Sequence, residues 1–370
     1  AEFEEENQSL VKLQNVASWI SSIMNPATFV VINLGVIFLI YIGAIRVDVG
    51  VISQGAVVAL YNYMSQILVE LIKLANLIIT EMKAIASKNR VDAILTMEEY
   101  KKPKGKDKKC DHYITFENVF LSYNKNNEYS LNNISFTVDK GDTVGIIGGT
   151  GSGKTSVMNL LCGFYEPTSG DIILNDKNIL NYSDEELNDN ISVVMQKATM
   201  FSGTVKENIT FGAKNATAED IEKAIEISQS KEIISNKSKG LDEVILEQGK
   251  NLSGGQKQRL ALARTIITNP EIYIFDEATS NIDVESEEKI WRSIYELSEN
   301  KTVIVISHRL ANVKNADNIY VLDKGNIVES GSHKDLMMYN GKYAQLVNHQ
   351  NNLESIYNDE LTQKEVAISE

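Results

Sequence analysis

Residues 148–155 read Gly-Gly-Thr-Gly-Ser-Gly-Lys-Thr and directly follow the apolar run Val144-Gly145-Ile146-Ile147. They fit G-x-x-x-x-G-K-[ST], and the run before them has the character of a buried strand. A strand, a glycine loop and a helix in that order restrict the fold more than any other feature of the chain. Glycines let consecutive backbone N–H groups turn inward around phosphate oxygens. The loop then opens onto a helix N-terminus, whose partial positive charge favours the same anion. In this reading Gly148, Gly149, Thr150, Gly151, Ser152, Gly153 and Ser156 form a phosphate cradle, Lys154 reaches the β- and γ-phosphates of a nucleotide, and Thr155 ligates Mg²⁺. The fold class this implies is an α/β P-loop NTPase.

Further along comes Ile272-Tyr273-Ile274-Phe275-Asp276-Glu277, a short apolar run ending in two acids. A buried parallel strand delivers carboxylates to the C-terminal edge of a sheet in this way. Asp276 is placed to hold Mg²⁺, the Walker-B role. Glu277, the neighbouring carboxylate that the metal does not need, is the candidate general base for an attacking water.

Between these elements lies Leu252-Ser253-Gly254-Gly255-Gln256-Lys257-Gln258-Arg259. Ser253 is a good N-cap, the two glycines permit close backbone approach, and Gln256 through Ile267 reads as a helix, so this is a second anion-binding helix start. Here the chain resembles the ATP-binding cassette (ABC) ATPases, whose signature sequence is Leu-Ser-Gly-Gly-Gln. The resemblance implies that Ser253, Gly254, Gly255 and Gln256 close over the γ-phosphate held by a partner subunit, so that two ATP molecules lie between two head-to-tail cassettes. It also implies roles residue by residue. Tyr123 matches the aromatic that stacks on adenine. Gln196 matches the glutamine that senses Mg²⁺ and the lytic water, and the loop after it faces the transmembrane part. Asp283 matches the loop communicating between the two sites, and His308 matches the switch histidine that contacts the γ-phosphate. One departure stands out: exporters of this family often carry Gly-Glu-Arg-Gly before the signature, and this chain has Leu246-Glu247-Gln248-Gly249.

Ahead of the cassette, no charged residue occurs between Lys12 and Arg46. The apolar core from about Pro26 to Ile45 has roughly the 20 residues needed to cross the hydrocarbon. A short polar turn and a second uncharged stretch, Val49 to Val69, follow. Two such spans with a tight connection read as a helical hairpin in a lipid bilayer. On the second, Asn62, Gln66, Glu70, Lys73, Asn76 and Thr80 fall at intervals of three or four and form one polar stripe. We read the stripe as lining a transport path or its cytoplasmic mouth. The alternative is that Glu70 and Lys73 pair where the helix has left the bilayer. The basic segment Lys101-Lys102-Pro103-Lys104-Gly105-Lys106-Asp107-Lys108-Lys109 marks the cytoplasmic side and, with its Pro and Gly, a domain boundary.

Expected domains are therefore a partial transmembrane domain over 1–100 (helices about 16–45 and 50–95), a basic linker over 101–112, an ABC nucleotide-binding domain over 113–350 and an acidic tail over 351–370. Within the cassette we expect an antiparallel segment over 113–138, a helical lobe from about Ser183 to Gln256 with a capping start at Thr217, and a parallel sheet finished by the strands of Asp276 and His308. A net charge of −14 argues against nucleic acid as a partner. Cys110 and Cys162 have no metal or disulfide spacing and read as free thiols. By resemblance the chain looks like the last two of six transmembrane helices and the nucleotide-binding domain of an ABC exporter half-transporter, a fragment lacking four helices. The expected function is ATP hydrolysis, with ATP and Mg²⁺, coupled to export of a small-molecule, lipid or peptide cargo across the cytoplasmic membrane. The cassette would sit in the cytoplasm of a multi-pass protein, and the partner would be a second half-transporter in a homo- or heterodimer. The competing readings are a regulatory half of a heterodimer and a soluble ABC ATPase.

Overall fold

Two apolar helices open the chain, and a cassette of mixed α/β structure comes after them. The computed structural model describes residues 2–97, 102–124, 128–298 and 300–350. The acidic tail expected over 351–370 lies outside the described residues. The chain divides into two units, Ala1–Lys101 and Lys102–Glu370.

In the first unit, α1 spans Glu2–Asp48 and α2 spans Gln54–Leu95. Helix α1 begins well before the apolar core and carries Pro26 within it. The reversal uses Gly50 at φ 75°, and Ser53 caps α2 by accepting a hydrogen bond from the Ala56 amide at 3.3 Å. The two legs approach closely at Gly43, where a Cβ would stand 2.8 Å from Val57 Cγ1. A small residue at such a crossing is what close helix packing requires. Both helices are long and apolar enough to cross a membrane. Their apolar side chains stand exposed, among them Val31, Phe38 and Tyr63. On the polar stripe Lys73 donates to Glu70 at 2.8 Å and Thr80 donates to the Asn76 carbonyl at 2.9 Å, so the two charges of the stripe neutralise each other.

In the second unit, β1 (Ile114–Leu121) and β2 (Leu131–Val138) pair antiparallel, and β3 (Thr143–Gly148) leads through the glycine loop to α3 (Lys154–Leu161). Then come β4 (Ser169–Leu174), β5 (Lys177–Asn178), α4 (Asp184–Asn190) and β6 (Ile191–Val194). The helical region holds β7 (Gly203–Thr204), α5 (Val205–Thr210), α6 (Ala218–Ile227), α7 (Lys231–Ser235), β8 (Val244–Ile245) and α8 (Gly254–Ile267). The chain closes with β9 (Ile272–Asp276), α9 (Val284–Leu297), β10 (Thr302–Ile306), β11 (Asn318–Asp323), β12 (Asn326–Gly331) and α10 (His333–Tyr339). Four helix starts in this unit carry a reciprocal capping box: Ser183 with Glu186, Thr204 with Glu207, Thr217 with Asp220, and Ser253 with Gln256. Each satisfies two backbone donors that a helix end otherwise leaves open.

The larger sheet has the order β12-β11-β3-β10-β9-β6, parallel except for the edge strand β12, and a smaller antiparallel sheet has the order β2-β1-β4-β5. The strands ending at Asp276 and before His308 therefore do not finish the sheet; they lie in its interior. The reason is burial. Every residue of β3, β9 and β10 is buried, so these strands need a neighbour on each side, while the partly exposed β6 and β12 take the edges. Side chains alternate with period two. Tyr273, Phe275, Val303 and Val305 face the helical layer with Leu260, Ile290 and Trp291, whereas Ile272, Ile274, Ile304 and Ile306 face the smaller sheet and α3.

The basic segment after Lys101 does not hang free. Asn181 clasps it: its Nδ2 donates to the Gly105 carbonyl at 2.9 Å and to Asp107 at 2.7 Å, and its Oδ1 accepts from the Gly105 amide at 3.1 Å. Asp107 also accepts from the Asn178 amide at 2.9 Å, Lys102 pairs with Asp184, and Lys108 pairs with Glu117. Net hydrogen bonds of this kind are worth about 1 kcal/mol each. Replacing Asn181 with Ala is therefore expected to speed tryptic cleavage at Lys104 and Lys106 by about tenfold or more. An unchanged cleavage rate would show that the clasp does not hold the segment.

Candidate functional site

The loop between β3 and α3 forms the floor of a cleft of about 1120 Å³. Gly153, at φ 105°, supplies the turn into the helix; a Cβ there would lie 2.7 Å from Leu131 Cδ2 and 2.8 Å from the Ser130 carbonyl. Only glycine fits both constraints. Lys154 folds back over the loop, and its ammonium donates to the carbonyls of Gly148 at 2.9 Å and Gly149 at 3.0 Å. Burial pulls its pKa below the usual lysine range. Gly151, Ser152, Thr155 and Ser156 line the cleft beside it, with Tyr123 and Tyr129 on the wall. The Tyr123 hydroxyl bonds to Ser156 Oγ at 3.0 Å and accepts from Asn159 at 3.1 Å, while its ring meets Tyr165 edge-on at 4.7 Å. Sequence reasoning missed Tyr129 and the Lys324-Gly325 turn between β11 and β12. That turn also lines the cleft, and its Gly325 amide donates to the Ser152 carbonyl at 3.0 Å. Lys-Gly between two strand patterns is legible as a turn, but its meeting with the glycine loop depends on the strand order.

Register brings the rest of the site together. Ile306 of β10 lies opposite both Asp276 of β9 and Ile146 of β3, so β9 and β10 end level with each other while β3 runs on to Gly148 and the glycine loop. Thr155 Oγ1 donates to Asp276 Oδ2 at 3.4 Å, which sets two oxygens side by side beside the glycine loop. Such an oxygen pair fits Mg²⁺, which takes few protein ligands and completes its shell with phosphates and water. Asp276 is buried. Burial, and then the charge of Glu277, push its carboxyl up to about 6 against the opposing pull of Thr155 and Lys154. Glu277 adopts φ 49°, a left-handed backbone that side chains other than Gly rarely take, with its amide held by the Ile306 carbonyl at 2.9 Å. One carboxylate oxygen of Glu277 accepts from Gln196 Nε2 at 2.5 Å; the other lies 3.1 Å from His308 Nδ1. Gln196, Glu277 and His308 thus meet next to the Thr155–Asp276 pair. Cys162 caps the C-terminal end of α3, and burial, with the Asp276 charge, pushes its thiol up to about 12. Cys110 lies on the clasped segment, its amide bonded to Asp176 at 2.9 Å.

Of the predicted residues, Tyr123, Gly151, Ser152, Gly153, Lys154, Thr155 and Ser156 line this cleft; Gln196, Asp276, Glu277 and His308 do not, and neither do the remaining ones. Ser253, Gly254, Gly255 and Gln256 start α8, and none of them lines it. Gly255 backs onto the following loop so closely that a Cβ would sit 2.6 Å from the Asn281 carbonyl, and Gln258 bonds to Ser280 and to the Asn281 amide at 2.9 and 2.8 Å. Asp283 caps α9 by accepting from the Ser286 amide at 2.9 Å; its hydrogen bonds to Ser286 hold its carboxyl below the usual range. Gln248 sits on a left-handed turn at φ 56°. A buried group around Glu287 and Arg309, adjoining His308, was also missed by sequence reasoning. The available signal was a glutamate on the apolar face of α9, three and four residues before Ile290 and Trp291.

The state of Asp276 sets a pH dependence. Its folded-state pKa of about 6 exceeds the ordinary carboxyl value, so between about pH 4 and 6 the folded protein binds the proton more than the unfolded chain does. Its contribution to stability is therefore lost as pH rises through that window. Asp276→Asn, in Mg²⁺-free buffer, is expected to be more stable than the parent at pH 7.5 by up to about 3 kcal/mol, with the advantage vanishing near pH 4. An equal difference in Tm at both pH values would contradict this.

Residues 131–280 match the family model described as ABC transporter. The chain is 37% identical over 335 residues to an ATP-dependent lipid A-core flippase of Pasteurella multocida (strain Pm70), covering 89% of this chain and 58% of that protein. It is 36% identical over 351 residues to a probable multidrug resistance ABC transporter ATP-binding/permease protein of Bacillus subtilis (strain 168), covering 93% and 52%. Among solved structures, a bacterial Atm1-family ABC exporter with ATP bound matches with a TM-score of 0.74 at 28% identity, covering 95% of this chain and 62% of the other. The chain thus spans a little over half the length of these relatives. Motif order, fold and likeness agree: the chain carries the ATP-binding domain of the ABC transporter family behind two apolar helices.

Proposed function

We propose that this chain is the ATP-hydrolysing and membrane-anchoring part of an ABC exporter. The observation that carries the reading is the Glu277 carboxylate, held between Gln196 and His308 next to the Thr155–Asp276 oxygen pair at the glycine loop. ATP enters the cleft with its adenine on Tyr123 and its phosphates on the loop amides. Lys154 exchanges the Gly148 and Gly149 carbonyls for phosphate oxygens. Thr155 and Asp276, with Gln196, hold Mg²⁺, which supplies charge neutralisation of the phosphates when bound. Glu277 accepts the proton of the attacking water, and His308 and Gln196 steady the γ-phosphate and that water.

The signature residues Ser253–Gln256 lie outside their own cleft, and this supports a site completed by a second copy or a homologous half-transporter, with Asp283 at the junction. Closure of two cassettes on ATP would drive the membrane helices between conformations, and hydrolysis would reset them. The domain assignment that goes with this is a partial transmembrane domain over 1–100, a basic segment over 101–112 and a nucleotide-binding domain over 113–350. The location is the cytoplasmic membrane, with the cassette in the cytoplasm. The cargo is a small molecule, lipid or peptide; two relatives are named for lipid A-core and for multidrug resistance.

Glu277→Gln, in lipid nanodiscs, is expected to bind ATP as the parent does and to release phosphate about 10²–10⁴-fold more slowly, the usual share of a general base. Turnover near the parent rate would remove Glu277 from this role.

A further inference from the structure

Behind the loops that carry Glu277 and His308 lies a buried carboxylate that the reaction itself does not use. Glu287 lies on the inner face of α9 and is 8% exposed. Its Oε1 accepts from Thr279 Oγ1 at 2.7 Å and from Asn312 Nδ2 at 3.1 Å, and its Oε2 pairs with the Arg309 guanidinium. Trp291 Nε1 donates to Thr279 Oγ1 at 3.2 Å, and Tyr295 donates to the Asn312 carbonyl at 2.8 Å, so α9 closes the group from behind. A carboxylate buried this deeply persists as a charge only when it is paired and fully hydrogen-bonded. Here both conditions are met.

The partners of Glu287 sit on the two loops that present the reacting groups. Thr279 is two residues after Glu277, and Arg309 is the residue after His308. Glu277 has a left-handed backbone that its own sequence does not favour, so an outside restraint must hold its loop. The His308 side chain is itself more than half exposed. Its loop is held besides by the Arg309 amide donating to Ser307 Oγ at 2.9 Å, the Leu310 amide donating to Gln350 Oε1 at 3.1 Å and the Ser307 amide donating to the Ile146 carbonyl at 3.3 Å. We infer that Glu287 is a positioning residue for hydrolysis: a single carboxylate that fixes the Glu277 loop through Thr279 and the His308 loop through Arg309, and so sets the 3.1 Å contact between Glu277 and His308. Asp283, the cap of α9, lies in the loop that backs the signature. Glu287, one turn further on, therefore also ties that loop to the histidine.

The inference rests on the ATPase reading, and the test separates the two. In nanodiscs, Glu287→Gln keeps the shape of the side chain and removes its charge. It is expected to lower kcat by about tenfold or more with KM for ATP within about twofold, as loss of an orienting partner does. In a His308→Ala background the same change is expected to cost a clearly smaller factor than in the parent, because the part that acts through Arg309 is already lost while the part that acts through Thr279 remains. An equal fold-loss in both backgrounds, or no loss in the parent, overturns the inference. Hydrogen exchange gives a readout independent of turnover. In Glu287→Gln, amides 307–312 should exchange about tenfold faster while those of α3 are unchanged. Unchanged exchange at 307–312 overturns the inference as well. If Glu287→Gln does not fold, Arg309→Gln cuts the same pair from its 35% exposed end, and the same cycle and exchange measurement decide. A parent protein that binds ATP but releases no phosphate removes the ATPase reading alone, and the exchange result still decides the positioning role.

Discussion

Everything at the candidate site depends on the register of three parallel strands. β3, β9 and β10 are buried on both faces and lie side by side, in a register that sets Asp276, Ile306 and Ile146 opposite one another, with β3 running on to Gly148. The glycine loop, the Asp276-Glu277 pair and the Ser307-His308 turn leave the sheet at the same edge. A shift of one residue in any strand would exchange the side chains packed on its two apolar faces and carry these groups with them. The hydrophobic effect thus sets the geometry of a polar site. The two apolar layers that clamp the sheet, one with Tyr273, Phe275 and Trp291 and the other with Ile274, Ile304 and Ile306, are what hold the carboxylates in place.

Lys154, Thr155, Asp276, Glu277, Gln196 and His308 converge, whereas the second glycine-rich helix start, at Ser253, packs through Gly255 on Asn281, with Gln258 of the same helix bonded to Ser280 and Asn281. The capping box of Ser253 and Gln256 occupies two of the backbone donors of that helix and preserves its open, positive end. In the proposed reading this end is completed by the phosphates of another cassette's nucleotide. The chain is then both donor and recipient of half a site.

How much of this was legible in the sequence depends on the range of each interaction. The glycine loop, the signature helix and the capping start at Thr217 are written in contiguous residues, since backbone conformation and helix caps are local. The buried strands before Lys154 and at Asp276 were legible as unbroken apolar runs. Strand order was not: an apolar run shows that a strand is covered on both faces without naming its neighbours, so the strands of Asp276 and His308 were placed at the end of the sheet when they lie inside it. The clasp of Asn181 on Gly105 joins residues 76 apart, and the hold of Glu287 on Arg309 joins residues 22 apart, and nothing in either stretch names the other. For the same reason Lys101-Lys102-Pro103-Lys104 reads as a loose basic boundary, while Gly105 and Asp107, immediately beyond it, are bound to the cassette through Asn181 and Asn178.

The central claim, that each nucleotide site is shared between two cassettes, is open to a mixing experiment. Lys154→Ala spoils the phosphate cradle and leaves the signature intact; Gly254→Asp spoils the signature and leaves the cradle intact. Each variant alone should release little phosphate, and co-reconstitution of the two in the same nanodiscs should restore release, because a mixed pair contains one complete site. If the parent protein hydrolyses ATP and the mixture stays as inactive as its components, each cassette works alone and the account is wrong.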